Sequence, residues 1–147
     1  MKFATAVFAA ALAFTSVTLS AQDHAGHDHG HEHSHDPTQL IRMGTFSLLE
    51  TSGTVKVEKG LKAGKEAGFE VELSKPETVS VLRLWIGDEL AEATGKAKGE
   101  KEDKGVFHIH TKVPKKLADA DNIWVEIQDT NKNEARTSIT IPAKFRK

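Results

Sequence analysis

The chain has no cysteine and no tyrosine, only four prolines and two methionines among 147 residues, and almost no net charge. Lacking cysteine, it cannot form a disulfide framework, a thiolate zinc site, a cysteine nucleophile or an iron–sulfur cluster. Its stability must come from a packed core, and the length suits one domain. The 20 Lys and Arg against 21 Asp and Glu give a formal charge of −1. That balance argues against a nucleic-acid partner held by a strong overall positive field. Reaction motifs are missing as well. There is no GxSxG, HExxH, P-loop or dinucleotide fingerprint, and no acidic spacing picks out an acid/base pair, so an enzyme is not expected.

What is present begins with Met1, Lys2 and an apolar run from Phe3 to Phe14, followed by the more polar stretch up to Ala21. This is the three-part pattern of a secretory signal peptide, residues 1–21. The apolar run is shorter than the roughly 20 residues needed to span a bilayer, and no second stretch of membrane length follows. Cleavage is expected after Ala21, with Ser20 as the alternative. The expected product is soluble, without a permanent membrane span, in the periplasm or outside the cell.

Residues 22–36 read QDHAGHDHGHEHSHD and carry His24, His27, His29, His31, His33 and His35. Nothing in this stretch is bulky and apolar, so it cannot offset its ordering entropy; residues 22–39 are predicted to be disordered when free. Neutral imidazole is the commonest protein metal ligand. A flexible string of imidazoles interleaved with Asp23, Asp28, Glu32 and Asp36 can wrap a borderline divalent ion: zinc, copper or nickel. The segment has four acids and no base, whereas residues 37–147 carry 19 basic and 17 acidic side chains. Negative charge is thus concentrated where a cation would bind. Below about pH 6 the imidazoles gain protons and would release the metal. A solvated spacer is the alternative role.

From Leu40 the pattern changes to alternation with a period of two. Phe69, Val71 and Leu73 oppose Gly68, Glu70 and Glu72; Phe107 and Ile109 oppose His108 and His110; Ile123, Val125 and Ile127 oppose Trp124, Glu126 and Gln128; Ile139 and Ile141 oppose Ser138 and Thr140. These predict half-buried strands. Val79–Ile86 is apolar on both faces and predicts a central strand. Thr45–Leu49 and Val55–Val57 supply two more. Leu90–Ala97 is the one weak helical stretch, Asp129–Glu134 predicts a hairpin, and GKAKGEKEDKG at 95–105 predicts an exposed loop. Six or seven short strands spaced by turn signals predict an all-β domain over 40–147, an antiparallel, immunoglobulin-like β-sandwich with Trp85 as a core aromatic.

His108 and His110 would then project from one strand face, about 7 Å apart along the backbone. In an immunoglobulin-like order their strand neighbours the one at 68–73, placing Glu70 and Glu72 on the same outer face. Two His with one or two Glu make a borderline-metal donor set; cross-strand polar pairing is the alternative. Trp124, turned away from the isoleucine stripe, is either an exposed recognition aromatic or a side chain covered by a loop.

The combination of signal sequence, histidine-rich leader and cysteine-free β-sandwich resembles small exported bacterial metal-handling proteins; the leader's likeness is compositional over about 15 residues, while RLWIGDE (83–89), FHIHTKVP (107–114) and IWVEIQD (123–129) carry only a general pattern tied to no family of known activity. The likeness is general, to periplasmic copper-binding β-sandwiches and to the histidine-rich segments of zinc importers. Copper-resistance sandwiches use methionine-rich stretches, and here only Met1 and Met43 occur. The resemblance implies a metal-binding accessory that buffers divalent ions or delivers them to an envelope transporter or an apo-metalloprotein. The competing expectation is an envelope interaction or adhesion module whose leader is only a spacer.

Overall fold

Alternating side chains with one apolar face can bury that face only against a second sheet, and this chain builds two. The computed structural model describes residues 39–118 and 121–146. The expected signal peptide and the six leader histidines lie outside them. The strands are β1 (Leu40–Leu48), β2 (Thr51–Glu58), β3 (Glu66–Leu73), β4 (Val79–Gly87), β5 (Ala97–Lys98), β6 (Glu100–Lys101), β7 (Val106–Lys112), β8 (Asn122–Asp129) and β9 (Glu134–Thr140). They form antiparallel sheets in the orders β1-β2-β3-β7-β6 and β5-β4-β8-β9. The fold is the expected β-sandwich. Seven of the strands are long, and β3 lies beside β7 as an immunoglobulin-like order requires.

Val55, Val57, Phe69, Val71, Phe107 and Ile109 face Leu82, Leu84, Ile86, Ile123, Val125 and Ile127 across the core. Each such side chain contributes about 1.5–3 kcal/mol by leaving water. Thr111 shares this inner side of β7 and is 3% exposed, with no hydrogen-bond partner for Oγ1 among the described residues. A buried hydroxyl without a partner costs about 1–3 kcal/mol. Thr111→Val keeps the shape and removes the hydroxyl, so it is expected to stabilise by about 1 kcal/mol. Thermal unfolding would read that as a rise of roughly 4 °C or more; a lowered midpoint would mean the hydroxyl is satisfied.

The hairpin expected at Asp129–Glu134 joins β8 to β9. Lys132 takes a left-handed φ of 71° at its tip. Asp129 Oδ1 accepts from the Asn131 and Asn133 amides at 2.8 and 2.9 Å, and Asn133 Nδ2 donates to Oδ2 at 2.9 Å. The Asn133 side chain, ahead of the two backbone amides, holds this carboxyl below its ordinary range.

Three expectations need correction. Trp85 is completely buried, but not between the sheets: Leu82, Leu84 and Ile86 take the inner side of β4, and Trp85 lies on the opposite one. Its cover comes from Trp124, Lys96 and the chain from Asp88 onward. The expected helical stretch Leu90–Ala97 is not a helix: 90–96 form turns, with a helical-type bond from Gly95 N to Ala91 O at 2.9 Å, and Ala97 already belongs to β5. One such turn cannot repay helix nucleation.

The third concerns residues 95–105, which do not form a simple exposed loop. Ala97–Lys98 pairs with β4 and Glu100–Lys101 pairs with β7, so the chain passes from one sheet to the other at Gly99. Gly99 N donates to Leu82 O at 2.8 Å. A Cβ there would sit 3.0 Å from Ile109 Cγ1, so only glycine brings the backbone down between the sheets without displacing a core side chain. The opposite margin closes by packing. β1 bulges between Arg42 and Gly44, and the bare Gly44 rests on Ile139 of β9, whose Cγ2 would be 2.6 Å from a Cβ at that position. Short charged strands on one margin and a bulged, packed strand on the other limit edge pairing.

Candidate functional site

β7 alternates Phe107 and Ile109 inward with His108 and His110 outward, so both imidazoles stand on the outer face of the five-stranded sheet. Their rings stack with centroids 4.8 Å apart and planes 22° from parallel. The β3 residue opposite His110 is Gly68, and the one opposite His108 is Glu70. On the other side His108 faces Glu100 of β6.

The missing side chain at Gly68 shapes the cluster. Glu58, at the end of β2, extends across that gap, and a Cβ on Gly68 would lie 3.0 Å from its Oε2 and 3.1 Å from its Cδ. Glu58 Oε1 thereby comes to 3.3 Å from His108 Nε2. Glu102, just beyond β6, places Oε1 3.4 Å from His108 Nδ1. Glu66 of β3 lies 3.1 Å from His110 Nδ1. His108 is only 7% exposed despite its outward direction, whereas the His110 side chain is 43% exposed. Glu58, Glu66, Gly68 and His110 also line a recess of 290 Å³, with Lys59 and Lys62 at its margin.

The structure thus gathers the two strand histidines but changes their carboxylate partners. Glu70 is beside His108 in register and opposite Lys56 on its other side. Glu72 is ion-paired with Lys56. The carboxylates at the rings are Glu58, Glu66 and Glu102, which sequence reasoning missed. Glu66 was recoverable, because it shares the parity of Gly68 and Glu70. Glu58 and Glu102 required the register of three strands. Among the described residues, no three His, Asp or Glu side chains converge as they stand to hold a metal ion.

The other sheet carries a different cluster on its outer face. Trp85 and Trp124, opposite one another on β4 and β8, stack with centroids 6.1 Å apart and planes 8° from parallel. Lys96 Nζ lies 4.9 Å from the Trp85 ring centre and 2.6 Å from Glu126 Oε2. Arg83 holds Glu126 Oε1 at 2.9 Å. The indole N–H groups are satisfied: Trp85 donates to Asp88 O at 2.8 Å and Trp124 to Gly87 O at 3.1 Å. Burial raises the Glu126 pKa, but the Lys96 and Arg83 hydrogen bonds and charges outweigh it, leaving the carboxyl below its ordinary value. Trp124 is half-buried against its partner and is no open platform.

Together these features define a β-sandwich with a histidine–glutamate cluster on one outer face and a tryptophan–cation cluster on the other. Among the described residues no helix is long and apolar enough to cross a membrane. In comparisons with known proteins, no family model, curated protein or solved structure matches this chain.

Proposed function

We propose that the chain is an exported, non-catalytic metal-binding accessory that buffers divalent transition-metal ions or delivers them to an envelope transporter or apo-metalloprotein. The observation that carries this reading is the leader: six histidines and four carboxylates with no basic residue in residues 22–36. Neutral imidazoles and carboxylates suit zinc, copper or nickel. A segment without bulky apolar residues gives up conformational freedom when it wraps an ion, which tempers its affinity and favours exchange over retention. A β-sandwich would give such a leader a stable carrier.

Calorimetric titration with zinc at pH 7.5 tests this on the chain starting at Gln22, beside a form with the six leader histidines changed to Asn. The unaltered chain is expected to bind several times more zinc, and to lose most of it at pH 5.5 as imidazoles protonate. If the two forms bind alike, the leader is not the chelator. If neither binds more tightly than about 1 mM, metal handling is wrong and the envelope interaction module takes its place.

A further inference from the structure

We propose that one end of the sandwich is a docking surface for anionic phospholipid, a field of exposed lysines that binds the face of a membrane without entering it. The inference goes beyond the metal-handling reading and does not depend on it.

The lysines come from segments distant in sequence. Lys59, Lys62 and Lys65 lie on the link from β2 to β3, while Lys112, Lys115 and Lys116 lie at the end of β7 and just after it. β3 and β7 are antiparallel neighbours with Glu66 opposite Lys112, so the two segments leave the sheet side by side. The backbone then ties them together. Gly64, at a left-handed φ of 70°, donates its amide to both Val113 O and Pro114 O, at 3.2 and 3.0 Å, and Val113 N donates to Lys65 O at 2.8 Å. The C-terminal stretch closes on the same end, where Phe145 packs against Gly60 and carries Lys144 over its ring.

All seven lysines are exposed, and none has an ion pair among the described residues. The carboxylates at this end are turned elsewhere: Glu58 and Glu66 to the strand histidines, and Asp121 to the Ala118 amide. At the opposite end of the strands, Lys75 and Lys132 stand among Glu50, Glu77, Asp129 and Glu134. Charge that nearly balances over the domain is thus separated along it. Like charges gathered in this way repel one another, and an apposed anionic surface removes that repulsion.

Three features select a lipid surface over other anions. Lysine is a hydrated point charge without the fork with which arginine grips a single phosphate or carboxylate. Arg146, at this same end, is engaged by backbone, donating from Nε to Ile141 O at 3.0 Å and from Nη2 to Asp121 O at 3.1 Å. Second, these segments expose no large apolar side chain. Leu61, Leu117 and Phe145 are half-buried against the core, and the exposed Leu49 and Leu90 belong to the β1–β2 turn and to the segment covering Trp85. A protein partner needs aromatic or apolar anchors, and a single-stranded nucleic acid needs bases stacked on aromatics. Third, the lysines are spread over three segments and do not line a pocket. The recess bordered by Lys59 and Lys62 is also lined by Glu58 and Glu66, which would repel a free phosphate. A broad sheet of negative charge has no such requirement, and clusters of this size are attracted to it within a Debye length.

The test is co-sedimentation of the chain starting at Gln22 with vesicles at pH 7.5, with EDTA present so that no metal bridges protein to phosphate. Vesicles of phosphatidylcholine with about one third phosphatidylglycerol should bind it at about 0.1 M salt and release most of it at about 1 M. Vesicles of phosphatidylcholine alone should not bind it. Lys62→Gln, Lys65→Gln, Lys115→Gln and Lys116→Gln together should weaken partition onto the anionic vesicles at least roughly thirtyfold. Glutamine at Lys75, Lys98, Lys104 and Lys132 changes the net charge equally and should weaken it less than about threefold. Thermal midpoints close to that of the unaltered chain would show that both variants are folded. Equal losses in the two variants would assign the attraction to net charge and overturn the surface, as would equal binding to neutral vesicles. No binding to anionic vesicles, with retention on immobilised polyglutamate that the first variant loses, would replace the lipid by an acidic protein. None of these outcomes alters the zinc titration, so this surface and the metal-handling function fail separately.

Discussion

Replacing Trp85 by alanine is expected to destabilise the domain by about 3–5 kcal/mol, the range for deleting a buried aromatic side chain. The ring is fully buried although it lies outside the space between the sheets. It stacks on Trp124, carries Lys96 over its face and fixes Asp88 through its indole N–H. Aromatic stacking adds about 0.5–1.5 kcal/mol beyond area, and a partly desolvated cation–π contact about 1 kcal/mol. Domains of this size have about 5–15 kcal/mol in all, so the variant would be close to its limit. Urea unfolding of Trp85→Ala and Trp85→Phe measures this, and the phenylalanine form should retain more than half of the lost stability. If alanine costs less than about 1 kcal/mol, typical of a surface change, the cover over this ring does not hold.

The second large effect concerns Glu126, whose side chain is 7% exposed between Arg83 and Lys96. Glu126→Gln leaves two cations without their shared anion and is expected to cost about 2 kcal/mol at pH 7. That is below the 3–5 kcal/mol seen on breaking fully buried pairs, since both cations retain water contact. The pH dependence has a definite sign. The folded carboxyl titrates below its ordinary value, so its contribution is present in full above the unfolded glutamate pKa of about 4.3 and is lost as pH falls through the lower folded value. Urea midpoints of the two proteins should differ at pH 7 and approach one another near pH 3. A difference that persists at pH 3 would assign the loss to packing and not to charge.

These two clusters show how far the residue pattern reaches. The face on which Arg83, Trp85, Trp124 and Glu126 stand follows from parity, as does the outward direction of His108 and His110. Placing Trp85 in the central core failed because an apolar residue on the outer side of a strand can be buried by whatever folds over it. The segment 95–105 misled for a related reason. Two-residue strands are too short to show a period, and charge there concealed a glycine whose backbone enters the core.

By itself the sequence determined the class of fold, the inner faces of β3, β7, β8 and β9, and the turn at Asp129–Glu134. All of these are local, set by side-chain alternation, turn chemistry and composition. Only the tertiary structure decided which glutamates meet His108 and His110, where the chain crosses between the sheets and what covers Trp85. Alternation specifies a face but not a lateral neighbour. Neighbours come from the hydrogen-bonded register of strands distant in sequence, and here from two glycines, Gly68 and Gly99, whose missing Cβ atoms admit a carboxylate in one case and a backbone in the other.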